Sequence, residues 1–270
     1  MYWVALSDPP SWCKPFSAQL PNISGRGLKH WTEKRVDNVK RIFESAERKL
    51  GDKIDTEGSV PPRVLKGILD DGSFCEDRLG AEYFGGVLAS SRSTVSRDDR
   101  GASIVALLSR LTTYQIRTHY VLYSLTRNLF MGHAFETLTD ESLRKLSTFV
   151  PLTDYLAAMD FSPGEDFNIV MTHSLFGLHK ESLIGTSFNF GSVDYIKSHY
   201  DKASSAGLIY QPSVLGIELF LWAHGKGEMN TLRFLDSLIE FAPVDDINLS
   251  ANAQRIHEPP TESKEMVEPQ

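Results

Sequence analysis

Cysteine is nearly missing: Cys13 and Cys75 are the only two in 270 residues. They form no CxxC pair and have no histidine at ligand spacing, so neither a disulfide framework nor a thiolate zinc site is expected. No window approaches the roughly 18 uninterrupted apolar residues that a membrane-spanning helix needs. The opening MYWVALSDPP lacks the basic start and long apolar run of a signal peptide, and a cytoplasmic location is expected. Short enzyme signatures are missing too: there is no GxxxxGK(S/T), HExxH or GxSxG, and no GxGxxG opening a helix. Gly225-Lys226-Gly227 is too short for a phosphate loop and reads as a helix stop. No segment repeats at a fixed period. Basic excess is absent as well, since the formal charge is −7. From Glu240 onward the acids Glu240, Asp245, Asp246, Glu258, Glu262, Glu265 and Glu268 face only Arg255 and Lys264, which leaves the body nearly neutral. Such a balance gives no reason to expect nucleic-acid affinity. No cofactor and no metal ion is expected.

What the chain does have is helical periodicity, and the expected fold class is mainly α: a multi-helix bundle with a winged-helix-like C-terminal module that carries a minimal β-element. Four regions are predicted: 1–31 irregular, with Trp3, Trp12 and Phe16 available to pin it; 32–185 a helical core; 186–242 the winged-helix-like module; 243–270 a disordered acidic tail. Thr32 is expected to cap a helix carrying Val36, Val39, Ile42 or Phe43, Ala46 and Leu50, stopped by Gly51. Pro61-Pro62 suits the first turn of the next helix, with Val64, Leu65, Ile68 and Leu69 as its stripe up to Asp71-Gly72-Ser73. A helix over Cys75 to Ser91 follows, with Leu79, Tyr83, Phe84, Val87 and Leu88 buried. Gly80, Gly85 and Gly86 inside it each weaken it by about 1 kcal/mol, which close packing against bare backbone would explain. Asp99 is a plausible cap for a helix carrying Ile104, Leu107, Leu108 and Leu111.

Thr113 to Phe130 is long and strongly apolar and belongs at the centre of the core. Asp140 to Phe149 and Pro151 to Met159 read as two helices or one kinked one, and Asp166 to Ile184 as another, with Ile169, Val170, Phe176, Leu178 and Leu183 on its apolar faces. Ser192 to Ala206 reads as an amphipathic helix, Gly207 to Tyr210 as a short strand, Gln211-Pro212-Ser213 as a break, and Val214 to His224 as a Ser213-capped helix. This order resembles a winged helix with a trimmed wing, and in DNA-binding members the equivalent of 192–206 enters the major groove. Lys197, His199 and Lys202 are its candidate nucleic-acid contacts, opposed by Asp194 and Asp201. Asn230 or Thr231 is expected to cap a last helix through Phe241, with Leu232, Leu235, Leu238 and Ile239 inward.

The sharpest catalytic candidate is Arg127 with His133 six residues on, at the end of the long helix. The pattern resembles the active motif of the helical HEPN ribonucleases. It implies metal-independent cleavage, with histidine as acid or base on a ribose 2′-hydroxyl and arginine stabilising the phosphate. The same residues also read as a capping arginine and a surface histidine beside Gly132. His173 and His179 do not share a helical face and make poor joint ligands. Asp70-Asp71 and Asp98-Asp99 read as turn and loop carboxylates.

Three stretches carry a wider resemblance: Pro61 to Leu65 entering a helix, Val87 to Ser90 ending one, and Asp99 to Gly101 before an aliphatic helix. With Gly207-Leu208-Ile209, Gly216 and Phe220 further on, the chain over roughly 33–225 resembles the abortive-infection alpha family, bacterial proteins linked to phage resistance. Family members tend to carry a tryptophan and an asparagine where this chain has Tyr83-Phe84-Gly85-Gly86. The resemblance implies a phage-defence protein acting through protein contacts or self-association as sensor, regulator or effector, away from the membrane. It brings no catalytic residues with it. A ribonuclease and a winged-helix DNA-binding regulator are the alternatives from other classes.

Overall fold

A computed structural model of the chain describes residues 25–95, 97–133 and 137–257, with side chains from residue 29. The expectations for Trp3, Trp12, Phe16 and Cys13, and for the acids from Glu258 onward, lie outside the described residues. The chain divides into two units, Met1–Asp37 and Asn38–Gln270. Ten α-helices and four short strands lie among the described residues. The fold is mainly helical with one small antiparallel sheet.

Helix α1 (Gly25–Leu50) runs across the division. It is already helical at Thr32, so Thr32 is no cap. In the first unit its exposed surface carries a Lys29–Glu33 pair at 3.8 Å and Arg35 over the Trp31 ring. In the second unit Ile42 and Ala46 turn into the core. Helix α2 (Pro62–Asp70) opens on its proline as expected and buries Val64 and Ile68. Helix α3 (Arg78–Ser90) starts three residues later than Cys75, because Asp77 is the cap and accepts from Gly80 N at 2.9 Å. Helix α4 (Gly101–Leu108) has no side-chain cap; Asp99 instead faces Arg63 at 3.3 Å on the exposed surface. Helix α5 (Thr113–Phe130) has the expected limits, set by a capping box of Thr112 and Gln115. It lies in the middle of the core, with Tyr120, Leu122, Tyr123 and Leu125 buried.

Beyond α5 the structure departs from the periodicity. Helix α6 spans only Asp140–Arg144, strand β1 takes Thr148–Pro151, and α7 follows at Leu152–Met159. Phe149 and Val150, expected in helix, extend instead against Ile209 and Leu208 of β3 (Gly207–Tyr210). A short apolar run does not distinguish strand from helix, and here the partner strand decides. Helix α8 (Phe167–Lys180) is capped by Asp166, and its Ile169 and Phe176 are exposed, not buried. Strand β2 (Asn189–Gly191) precedes α9 (Val193–Lys197), which stops after five residues where a helix to Ala206 was expected. Ile196, Tyr200 and Ala203 do bury together on Phe149 and Ile209, so the spacing was real, but turns carry it. After β3 comes α10 (Val214–Ala223), with Ser213 accepting from Gly216 N at 3.0 Å. Asn230 caps Leu232 N at 2.9 Å, yet a single tight turn, Thr231–Leu235, replaces the expected last helix, and Leu238 is exposed.

Residues 243–257 were expected to be disordered. Instead Val244, Ile247 and Leu249 pack on the core, and Gln254–Arg255 form strand β4. The sheet order is β2-β3-β1-β4, with Phe149 opposite both Ile209 and Gln254. Pairing of β1 with β3 joins residues on both sides of the expected boundary at 185, so the core and the closing module share the unit Asn38–Gln270.

Polar groups inside this core are paired in fixed directions. The Gly216 carbonyl lies 3.0 Å from His119 Nε2, so that nitrogen carries the proton, and Nδ1 accepts from Tyr83 O–H at 2.7 Å. Full burial, only partly offset by the Gly216 carbonyl, pushes His119 down to about 3. The folded value lies below the unfolded one of about 6.5, so between these two the unfolded chain takes up a proton that the folded one refuses. Stability should therefore be lost as pH falls through this window, at up to about 1.4 kcal/mol per pH unit from this group. Thermal melts from pH 7 to 5 check it: His119→Leu, though less stable at neutral pH, should show a shallower decline.

Candidate functional site

Five segments of the second unit enclose an open cleft of about 1270 Å³. The last turns of α1 supply Arg41, Arg48 and Lys49, α3 supplies Arg78 and Glu82, α5 supplies Tyr120 and Arg127, and the end of α10 supplies His224 and Lys226. The segment 237–249 forms the remaining wall, with Phe241 and Val244. Six cationic side chains line the cleft against four acidic ones, in a chain whose formal charge is −7.

On one side the charges are mutually spent. Lys49 donates to Ser45 Oγ at 2.7 Å, to the Glu82 carbonyl at 3.1 Å and to the Glu82 carboxylate, which also accepts from Arg48. Burial holds Lys49 below the usual lysine range despite this carboxylate. For Glu82 burial acts upward, but Lys49, Ser45 and Arg48 overcome it and hold the group below the usual range. At the mouth Arg78 reaches Asp245 at 2.7 Å and Asp246 at 2.9 Å, fastening 237–249 to α3. Val244 N adds a bond to Tyr120 Oη at 2.8 Å.

The other side is aromatic. His224 donates from Nδ1 to the Phe220 carbonyl at 2.8 Å, and its ring lies 4.2 Å from Phe220 and 5.2 Å from Phe241. Burial among these rings, with Lys49 and Lys226 adding to it, lowers His224 to about 4, so it is neutral at pH 7.

Arg127, the candidate catalytic arginine, borders this cleft but is 6% exposed. Its guanidinium donates to the carbonyls of Phe234, Asp236 and Ile239 and stacks on Phe241 at 4.3 Å. These contacts hold the turns after Leu235 in place. His133 sits past the end of α5, its N–H bonded to Phe130 O at 3.1 Å and its Nδ1 buried with no hydrogen-bond partner among the described residues. It is not among the residues lining the cleft. The structure thus does not bring His133 into the cleft that Arg127 borders.

Lys197, His199 and Lys202 are all exposed, beside Asp194 and Asp201. His199 Nδ1 is turned back on Tyr195 O at 3.1 Å, and the five-residue α9 is too short to lie along a groove. Among the described residues no three His, Cys, Asp or Glu side chains are placed to hold a metal ion. His173 contacts Gln115 at 3.3 Å, while the His179 ring packs on Phe188. Asp70 pairs with Lys66 and Asp98 with Arg100 at the surface. No described helix is long and apolar enough to cross a membrane.

The cleft is not legible in the sequence. Its parts come from α1, α3, α5, α10 and the 237–249 segment, and no local spacing links them. One signal was present: Lys226 between two glycines at a helix stop, which leaves a cation near His224. No family model matches the chain, and neither a curated protein nor a solved structure matches it.

Proposed function

We propose that this chain is a protein of the abortive-infection alpha type that serves phage defence by binding, without a chemical step of its own, and that the cleft is where it receives its signal. The observation that carries the binding part is the state of the cleft's polar groups. Lys49 with Glu82, Arg127 with three carbonyls and His224 with Phe220 O are each already held, which suits a ligand seat better than proton transfer. The defence context rests on the family resemblance, whose residues are structural ones here: Val87 and Leu88 are buried, Gly101 meets Trp222 and Gly216 meets Tyr123. For passing the signal on through protein contacts, exposed Ile169 and Phe176 on α8, beside Phe188 and Phe190, supply an apolar patch.

The ribonuclease alternative needs Arg127 and His133 at one phosphate, and His133 does not line the cleft that Arg127 borders. The DNA-binding alternative needs a recognition helix longer than α9. The test is a phage challenge of cells carrying the intact chain or Arg41→Glu/Arg48→Glu. Both arginines are exposed, but Arg48 bonds Glu82, so a thermal melt must first show that the double variant is folded. Protection should be lost while purified protein leaves RNA intact. Unchanged protection removes the cleft from this account, and RNA cleavage abolished by His133→Ala restores the ribonuclease.

A further inference from the structure

We infer that the cleft binds a phosphate-bearing molecule with a flat ring, of nucleotide size, with its phosphate held between Lys226 and Arg127 beside Phe241. This rests on the reading of the cleft as the receiving site. Two cations share the Phe241 ring: the Arg127 guanidinium carbon lies 4.3 Å and Lys226 Nζ 6.0 Å from its centroid. Neither has a carboxylate partner among the described residues. Lys226 Nζ makes no hydrogen bond there, and Arg127 gives its bonds to neutral carbonyls only. Asp236, the acid whose charge acts on Arg127, is itself bonded to Arg233 at 2.8 Å.

Like charges gathered in a partly dry site without a counter-ion are costly, and an anion there relieves both. The protein's own acids do not serve. Glu82 is spent on Lys49 and Arg48, Asp245 on Arg78, and Glu44 lies 3.7 Å from Lys40, which leaves Glu240 as the one cleft acid without an ion pair among the described residues. Arg127 also keeps donors in hand, because a guanidinium has five N–H groups and three of its bonds are accounted for.

Size and lining point beyond a simple ion. A volume of about 1270 Å³ far exceeds what inorganic phosphate fills, and organic ligands usually occupy roughly 300–1,000 Å³. The half-buried rings of Phe241 and neutral His224 stand beside the cations and offer a flat ligand ring apolar contact. Lys226 sits directly after the helix stop at Gly225, whose φ of 74° turns the backbone there.

Titration calorimetry of the full chain with inorganic phosphate, AMP and ATP tests this, on the intact protein and on Lys226→Gln and Lys226→Arg. ATP should bind most tightly and AMP more tightly than phosphate. Lys226→Gln should weaken ATP about tenfold, as loss of one charge-assisted bond implies, and Lys226→Arg should restore most of it. Raising the salt concentration should weaken binding in the intact chain more than in Lys226→Gln. No binding of any of the three, equal affinity for phosphate and AMP, or ATP binding indifferent to Lys226→Gln overturns the assignment. Protection lost in Arg41→Glu/Arg48→Glu with no nucleotide bound sinks the ligand and leaves the cleft its role; nucleotide binding with protection intact keeps the ligand and sinks the defence reading.

Discussion

Gly86→Ala is expected to destabilise the protein by about 2 kcal/mol, although the same change in an unpacked helix stabilises by about 1 kcal/mol. Gly86 lies in α3 where α10 packs on it. A Cβ placed there falls onto the Ala223 carbonyl, with Ala223 Cα only 2.7 Å away. The obstacle is backbone, so no side chain can swing aside, and the two helices must part. Parting them also stretches the bond from Ser90 Oγ to the Trp222 carbonyl, now 3.1 Å. Overpacking a tight core costs about 1–3 kcal/mol and more against rigid backbone, which outweighs the gain in helix propensity. Urea denaturation decides it: a midpoint equal to or above that of the parent protein would show that α3 and α10 tolerate a methyl between them.

Arg127→Met should cost about 3 kcal/mol, a loss of roughly 6–12 °C in Tm for a chain of this size. Removing a buried cation relieves its desolvation, which argues for a neutral outcome. The carbonyls of Phe234, Asp236 and Ile239 decide otherwise, since all three lose their donor at once and each buried orphan costs about 1–3 kcal/mol. The damage should be local before it is global. The 237–249 wall would keep Arg78 with Asp245 and Asp246 at an exposed edge, pairs worth little by themselves. Hydrogen exchange should then show faster amide exchange from Phe234 to Val244 with α5 still protected. Arg127→Lys should fall between, because an ammonium keeps the charge but not the planar fork that reaches three carbonyls. Wild-type exchange at these amides in Arg127→Met would mean that the turns hold themselves.

How much of this was legible beforehand follows from the range of the forces involved. Helix α5 was readable to its ends because a capping box and eighteen residues of apolar pattern are local signals. The glycines of α3 were legible as close packing: Gly85 meets Ser45 and Gly86 meets Ala223. Which partners they meet was not, since that is a long-range choice. Phe149 and Val150 read as helix because their strand partners arrive some sixty residues later at Leu208 and Ile209. Tyr200 and Ala203 kept helical spacing through turns, a case where burial pattern and backbone conformation part company. The acidic composition after Pro243 suggested disorder, but Val244, Ile247 and Leu249 are enough apolar surface, with the Arg78 contacts, to seat the segment. Arg127 reads from the sequence as a catalytic arginine or a helix cap. Its role as a brace was hidden because carbonyls more than a hundred residues away leave no mark in the local sequence.

The placement of β1 between β3 and β4 bears on how the molecule is made. On the ribosome, Thr148–Pro151 emerges long before Gly207–Tyr210 and longer still before Gln254–Arg255, the two strands that close its edges. At a synthesis rate of roughly 5–20 residues per second, the nascent chain therefore displays Phe149 and Val150 to the cell for several seconds. During that interval a chaperone competes with stray strand pairing for the same unpaired backbone, and a translational pause just before residue 254 would lengthen the contest.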